Sequence, residues 1–220
     1  MLFVLIGEAV VSALLGGAML YIAQQVINDT ENKNVGVSVK CTLRTIFMCM
    51  TGAQLLTAVM LGMVYGAAQR DVLRVLLVCS VLWPCAWSDL CAFLIPNRVL
   101  LLGTALNAVL LGALWIAEPL QGKYLLGSAI MAAGALMVAA FLCRAISAKA
   151  VGMGDIKLLG MMGLGLGMDL VWMPLFFSFA AVFIFCIFLL LTKRAKRTDS
   201  IPFAPFLLFG ALAAVFLNGI

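Results

Sequence analysis

The chain has 220 residues, of which 65% are hydrophobic and only 10% are charged, and its net charge is +5. A soluble domain carries about 25% charged residues, so this composition excludes an ordinary soluble protein and indicates lipid as the main solvent. The absence of His excludes His-ligated zinc and the Ser–His and Cys–His dyads. None of the seven cysteines forms a C-x-x-C pair, so we expect no metal site and no cofactor.

The apolar segments are expected to be helices, because backbone groups in lipid must be satisfied within their own segment. About 20 apolar residues are needed per span. The sequence predicts an all-α, polytopic membrane bundle, a single domain over 1–220. Its eight predicted spans are 1–23, 45–68, 72–90, 99–117, 124–143, 155–170, 171–191 and 203–219. No basic residue precedes the first apolar run, so we expect a retained span rather than a cleaved signal.

Orientation is predicted from the fourteen Lys and Arg residues, because cytoplasmic loops carry an excess of them. With the N-terminus outside, three fall in outer segments, namely Arg70, Arg74 and Lys123. The other eleven fall in inner segments: Lys33, Lys40, Arg44, Arg98, Arg144, Lys149, Lys157, Lys193, Arg194, Lys196 and Arg197. Residues 24–44 are then a cytoplasmic loop. The basic run 193–197 is expected to anchor the chain at anionic lipid, and no nucleic-acid partner is expected.

Two aspartates stand out by their positions. Asp89 ends the third predicted span and Asp155 begins the sixth, so two spans separate them and both emerge on the cytoplasmic side. Ionisable residues in spans cost about 2.5–3.5 kcal/mol on insertion scales and are usually functional. A structural hydrogen bond or a proton relay in a transporter would also account for them.

Paired carboxyl groups have a specific chemical use. Two such groups about 3 Å apart cannot both ionise, so they share one proton. One can then activate a water while the other protonates a forming oxyanion, and the pair titrates as a unit. Gly152 and Gly154 precede the second Asp in a G-x-G-D pattern; they tolerate positive φ and let another backbone approach closely. Simple helix packing would explain these glycines equally well.

Three segments together resemble the prepilin peptidases, the G-x-G-D aspartic proteases that process type IV pilin precursors. Residues 89–97 (DLCAFLIPN) match that family's D-x5-I-P-N pattern, and residues 152–157 (GMGDIK) match its G-x-G-D pattern. Residues 201–207 (IPFAPFL) resemble the start of its last span. The resemblance covers about residues 75–215, and it makes 45–220 the peptidase core.

The resemblance implies that Asp89 and Asp155 are the catalytic pair. It also implies cleavage of a short basic leader from a pilin-like precursor at the cytoplasmic face of a bacterial inner membrane. Pro96 disfavours helix at the residue before it, and Pro202 and Pro205 break or kink the start of the last span. The residues expected to shape the site or bind substrate are Gly152, Gly154, Lys157, Pro96, Asn97, Pro202 and Pro205. Lys157 either biases the pair toward ionisation or anchors its helix.

The sequence departs from the family pattern in two places, and the family properties that depend on those places are not expected for this chain. Ala92, Phe93 and Leu94 are apolar, where the family often has basic residues. Many members also have a cytoplasmic domain with two C-x-x-C pairs after the first span, and they methylate the new N-terminus. Residues 24–44 hold one Cys, Cys41, so we expect a short form with peptidase and no methyltransferase activity. The alternatives are a proton-coupled transporter using both aspartates and a non-catalytic scaffold protein.

Overall fold

The computed structural model describes residues 69–146, 151–192 and 201–218, together with Gly17, Ala18, Tyr21 and Gln25. These residues form α-helices, and no strand occurs in the described ranges. The helices are α1 (Gln69–Ala92), α2 (Asn97–Ala117), α3 (Pro119–Ile146), α4 (Met153–Leu191) and α5 (Ala204–Asn218). The predicted all-α fold is therefore confirmed, while the predicted spans 1–23 and 45–68 and the loop 24–44 lie, apart from those four residues, outside the described residues.

Four helices are long and apolar enough to cross a membrane, namely α1 from Leu73 onward, α2, α3 and α4. The apolar part of α5, Ala204–Val215, is shorter. Many large apolar side chains on α2, α3 and α4 are exposed, Ile116 at 84% and Phe183 at 67% among them. Such exposure suits helices whose outer faces contact lipid rather than water. The total of eight spans and the outside N-terminus remain predictions.

Helix α4 reverses direction at Gly167, which has φ 67° and ψ −179° within an otherwise helical run. A straight helix would place Ser178 about 34 Å from Asp155. Ser178 instead packs directly on Gly210, which lies only about 9 Å along α5 from Ala204. Ala204 in turn contacts Asp89, which lies close to Asp155. Ser178 is therefore nearer to Asp155 than a straight helix allows, and α4 consists of two arms, α4a (153–166) and α4b (168–191).

The sequence predicted this division at 170/171, and the break lies slightly earlier because only glycine at 167 tolerates the left-handed conformation without strain. Gly163, one turn before the break, has a separate role. A Cβ at this position would lie 2.8 Å from the backbone nitrogen of Ala133. The absence of a side chain thus lets α4a approach the backbone of α3, the close packing that small residues permit in membranes.

Polar side chains cap both ends of the break. Arg74 of α1 donates from Nε to the Gly165 carbonyl at 3.1 Å and from Nη2 to the Leu166 carbonyl at 2.6 Å. These carbonyls belong to the last turn of α4a, where a helix leaves its acceptors unsatisfied. On the other side, the Met168 amide that opens α4b donates to Ser128 Oγ at 2.9 Å. The break is therefore hydrogen-bonded on both sides.

The environment of Arg74 contradicts its assignment to an outer loop. Its side chain is 1% exposed and lies within α1, and it pairs with Asp71 at 3.1 Å. A buried guanidinium is stable only when its donors are satisfied, and the two α4a carbonyls and the Asp71 carboxylate provide that. Arg74 is thus part of the bundle interior, at the end away from Asp89.

Candidate functional site

Asp89 lies in the last turn of α1 and is only 6% exposed. Its Oδ2 accepts a hydrogen bond of 2.9 Å from the backbone amide of Ala204, the first residue of α5. The Phe203 amide lies close to the same carboxyl group. The partial positive charge of a helix N-terminus favours an anion at this position. The end of one helix and the start of another, 115 residues apart, therefore hold the first aspartate.

The two prolines of the third motif explain why the Ala204 amide is available. The Phe203 carbonyl accepts from the Phe206 and Leu207 amides at 3.1 and 3.2 Å, which fixes the start of α5 at Ala204. Pro205 has no amide to satisfy, and proline is tolerated in the first helical turn. Pro202 precedes the helix, as predicted for a residue that breaks it. The Ala204 amide is thus the first-turn donor that Asp89 accepts.

Asp155 lies in the first turn of α4a, three residues after the N-cap Gly152. Its Oδ2 accepts from the Gly152 amide at 3.2 Å, so its carboxylate reaches back to the start of its own helix as in the acidic half of a capping box. A Cβ at Gly152 would lie 2.9 Å from that oxygen. Gly152 therefore leaves room for the carboxyl group that follows it.

The turn between α1 and α2 brings the second motif against the G-x-G-D segment. Ser88, fully buried, donates to the Leu94 carbonyl at 2.6 Å and holds the turn onto α1. Phe93 has φ 50°, an uncommon conformation for a non-glycine residue, and its amide donates to the Asp89 carbonyl at 3.0 Å. A Cβ at Gly154 would lie 3.0 Å from Ile95 Cβ, so this glycine lets α4a pack on the turn.

Pro96 and Asn97 have distinct positions at the start of α2. Pro96 is the N-cap residue, with φ −69° and ψ 115°, and its carbonyl accepts from Val99 and Leu100 at 3.1 and 3.2 Å. The predicted helix break before Pro96 is confirmed, since α1 ends at Ala92. Asn97 Oδ1 accepts from Lys157 Nζ at 2.9 Å. Lys157 therefore ties α4a to α2, and its ammonium is directed to an amide.

These contacts bring the nine predicted site residues to one end of the bundle. Asp89 and Asp155 are close enough to interact electrostatically, and each accepts a backbone amide at a helix N-terminus. Neither Gly152 nor Gly154 adopts the positive φ that glycine tolerates. Both serve close approach instead. Within the described ranges no cluster of acidic or thiol side chains suits a metal.

Sequence reasoning missed three contributors to this arrangement. Ser88 precedes the first aspartate and fixes the turn, Phe93 provides its sharp change of direction, and Ala204 donates its amide. Ser88 could have been noticed, because a hydroxyl beside a motif Asp in an apolar span needs a partner. A backbone amide such as that of Ala204 has no signature in the sequence.

Comparisons with known proteins agree with the motifs. The model of the type IV leader peptidase family matches residues 76–191. A protein of Bacillus subtilis (strain 168) named prepilin leader peptidase/N-methyltransferase is 32% identical over 179 residues, covering 79% of this chain and 68% of that protein. No solved structure matches the chain. The family match spans the residues from α1 to the end of α4 and thus includes both aspartates.

Proposed function

Because the chain belongs to the type IV leader peptidase family, we propose that it is an aspartic endopeptidase whose catalytic pair is Asp89 and Asp155. The substrate is a pilin-like precursor with a short basic leader. The reaction takes place at the cytoplasmic face of a bacterial inner membrane, in which the protein is a multi-pass component. It needs no cofactor.

The convergence of the two carboxyl groups carries the proposal. They come from helices α1 and α4a, interact electrostatically, and are each fixed by a backbone amide at a helix N-terminus. A purely structural aspartate would need one such partner and no second acid. Holding two acids together in an apolar surrounding is costly, and such sites are enriched in catalytic centres.

The chemistry follows from one proton shared by two carboxyl groups. The ionised member takes a proton from a water molecule, and the resulting nucleophile attacks the scissile peptide carbonyl. The protonated member donates to the developing oxyanion, so no separate cation is required at that oxygen. Collapse of the tetrahedral intermediate returns a proton to the leaving amine. Both acids act as one unit, and neither has a fixed role as acid or base.

The surroundings of the pair favour an extended, partly apolar peptide. Leu90, Phe93 and Met153 flank the two acids in sequence and are all more than half exposed. The corresponding stretch after Asp89 lacks the cations common in the family. We therefore propose that the peptide next to the scissile bond is bound through apolar contacts. Lys157 donates a hydrogen bond to Asn97 and so connects α4a to α2 beside the site.

Methylation of the new N-terminus is proposed to be absent from this chain. The name of the Bacillus subtilis relative includes N-methyltransferase activity, so the relative favours the opposite expectation. The proposal depends on residues 24–44, which contain one Cys and no C-x-x-C pair and, except for Gln25, lie outside the described residues. The name of the relative does not say which of its segments carries the methyltransferase activity.

The decisive experiment is purification of the protein and incubation with a candidate precursor in the same bilayer. Mass spectrometry of the product should show a new N-terminus directly after the basic leader. Proton flux across the same proteoliposomes should stay at the level of empty vesicles. Flux without cleavage, with several precursors tried, would support the transporter alternative and refute the peptidase.

A further inference from the structure

A second feature lies at the end of the bundle away from the carboxyl pair. One face of α3 and the start of α4b border a groove of about 490 Å³. Its lining comprises Leu120, Lys123, Tyr124, Gly127, Ser128, Met131 and Met168. Gly167 at the break packs against Ser128, and the break is twelve residues, or about 18 Å of helix, from Asp155. The groove is therefore separate from the candidate active site.

The groove is apolar along its length and charged at its rim. Leu120 is 90% exposed and Met131 63%, so the groove opens directly onto the surface of α3 that faces lipid. Tyr124 and Lys123 lie within the first two turns of α3, where aromatic and basic residues commonly mark a membrane–water boundary. An occupant that reaches this groove from the bilayer brings an acyl chain.

Two opposite charges lie close to the groove: Lys123 is one of its lining residues, and Asp169 is hydrogen-bonded to two others, Tyr124 and Ser128. Lys123 forms no ion pair with any residue that the structure describes. Asp169 accepts from Tyr124 Oη at 3.2 Å and from Ser128 Oγ at 3.3 Å. A carboxylate offers about four acceptor positions, so Asp169 keeps capacity for a further donor. The groove therefore has, close together, one ammonium without an ion-pair partner among the described residues and one carboxylate with remaining acceptor capacity.

We propose that the groove binds one phospholipid with a zwitterionic amine headgroup, of the phosphatidylethanolamine type. Its phosphate contacts Lys123, its ammonium contacts Asp169, and one acyl chain lies along Leu120, Gly127 and Met131. A headgroup without an amine leaves the carboxylate facing an anion, which lowers its affinity. This proposal is independent of the peptidase activity, because it concerns binding at the opposite end of the bundle.

The chain offers a matched pair of variants for the test. A Cβ at Gly127 or at Gly134 meets no heavy atom within 4 Å and both residues are exposed, so a side chain can leave the backbone of α3 at either position. Gly127→Leu fills the groove, whereas Gly134→Leu adds the same side chain two turns away. Lys123→Gln removes the rim charge, and Lys123→Arg retains it. Replacing glycine inside a helix also favours folding, which protects the comparison from loss of the fold.

The measurement is native mass spectrometry of the delipidated full chain titrated with phosphatidylethanolamine, phosphatidylcholine or phosphatidylglycerol. We expect one tightly retained phosphatidylethanolamine, with at least about fivefold weaker binding for Lys123→Gln. Gly127→Leu should lose the retained lipid, and Gly134→Leu and Lys123→Arg should keep it. Equal retention by both leucine variants would show ordinary annular lipid and overturn the proposal. Equal affinity for phosphatidylglycerol would overturn the headgroup assignment.

Discussion

Replacement of Asp89 by Asn separates the chemistry of this residue from its contribution to the fold. In the wild-type protein its Oδ2 accepts from the Ala204 amide at 2.9 Å, while the carboxyl group as a whole supplies charge and a transferable proton. The Asn side chain has nearly the same shape and keeps one oxygen for the Ala204 amide. It cannot exchange a proton with Asp155 or with a water. The fold should survive, and catalysis should not.

The magnitudes follow from these contacts. Exchange of a charge-assisted hydrogen bond for a neutral one weakens that bond by about 1 kcal/mol, but Asn also removes the cost of holding a second acid beside Asp155 in an apolar surrounding. Asp89→Ala leaves the Ala204 amide without its acceptor in a buried position, which costs about 1–3 kcal/mol. Loss of general acid–base action lowers the rate about 10²–10⁴-fold, and both variants should show it. Stability should therefore rank Asn above Ala, with Asn close to the wild type because the two effects oppose each other, while the two variants are equally inactive.

The assay reads precursor cleavage by mass spectrometry in proteoliposomes, with thermal unfolding in detergent measured on the same samples. Asp71→Asn is the matched control. Asp71 accepts from Arg74 at 3.1 Å, Asn can keep that bond, and the residue lies at the opposite end of α1. Its activity should match that of the wild type. Near-normal cleavage by Asp89→Asn, in protein that unfolds normally, would refute the catalytic pair.

Three further predictions concern other parts of the chain. Cysteine accessibility should place four segments in the cytoplasm and two outside. If Asp89 and Asp155 mapped to opposite faces of the membrane, they could not form a shared pair. The inside segments are 30–40, 95–98, 145–155 and 193–200, and the outside ones are 69–72 and 118–123. Gly167→Ala should destabilise the protein by about 1–3 kcal/mol, because φ is 67° and its Cβ would lie 2.7 Å from Arg74 Nη2; unchanged thermal unfolding, with Gly134→Ala as control, would contradict this. Purified enzyme supplied with S-adenosylmethionine should release product with an unmodified N-terminal amine, and a mass gain of one methyl group would show that the C-x-x-C domain is dispensable.

Much of the fold follows from local features of the sequence. Hydropathy located α1, α2, α3 and α5 to within a few residues. An apolar segment in lipid must satisfy its own backbone hydrogen bonds, and it therefore forms a helix. Pro96 and Pro202 correctly marked helix boundaries, since proline restricts its own φ and its preceding residue whatever the surroundings. The even number of spans predicted between Asp89 and Asp155 also indicated that both acids lie at the same end of the bundle.

The rest depends on contacts between distant residues, which no local pattern encodes. Arg74 was assigned to an outer loop because positive charge normally marks a loop. Its side chain is instead buried and donates hydrogen bonds to carbonyls 91 and 92 residues further along the chain. The break at Gly167 was predicted three residues late, because hydropathy does not distinguish between the four glycines in this part of the chain. Only the caps from Arg74 and Ser128 distinguish the one at which the chain reverses.

The bond between Asp89 and Ala204 also has a consequence for biosynthesis. Translation produces the two residues in order, and they are 115 positions apart. At about 5–20 residues per second, roughly 6–23 s pass between them. During that interval the aspartate is in the membrane without the amide that fixes it. For the proposed catalytic pair, we therefore expect peptidase activity to arise only after α5 has been inserted.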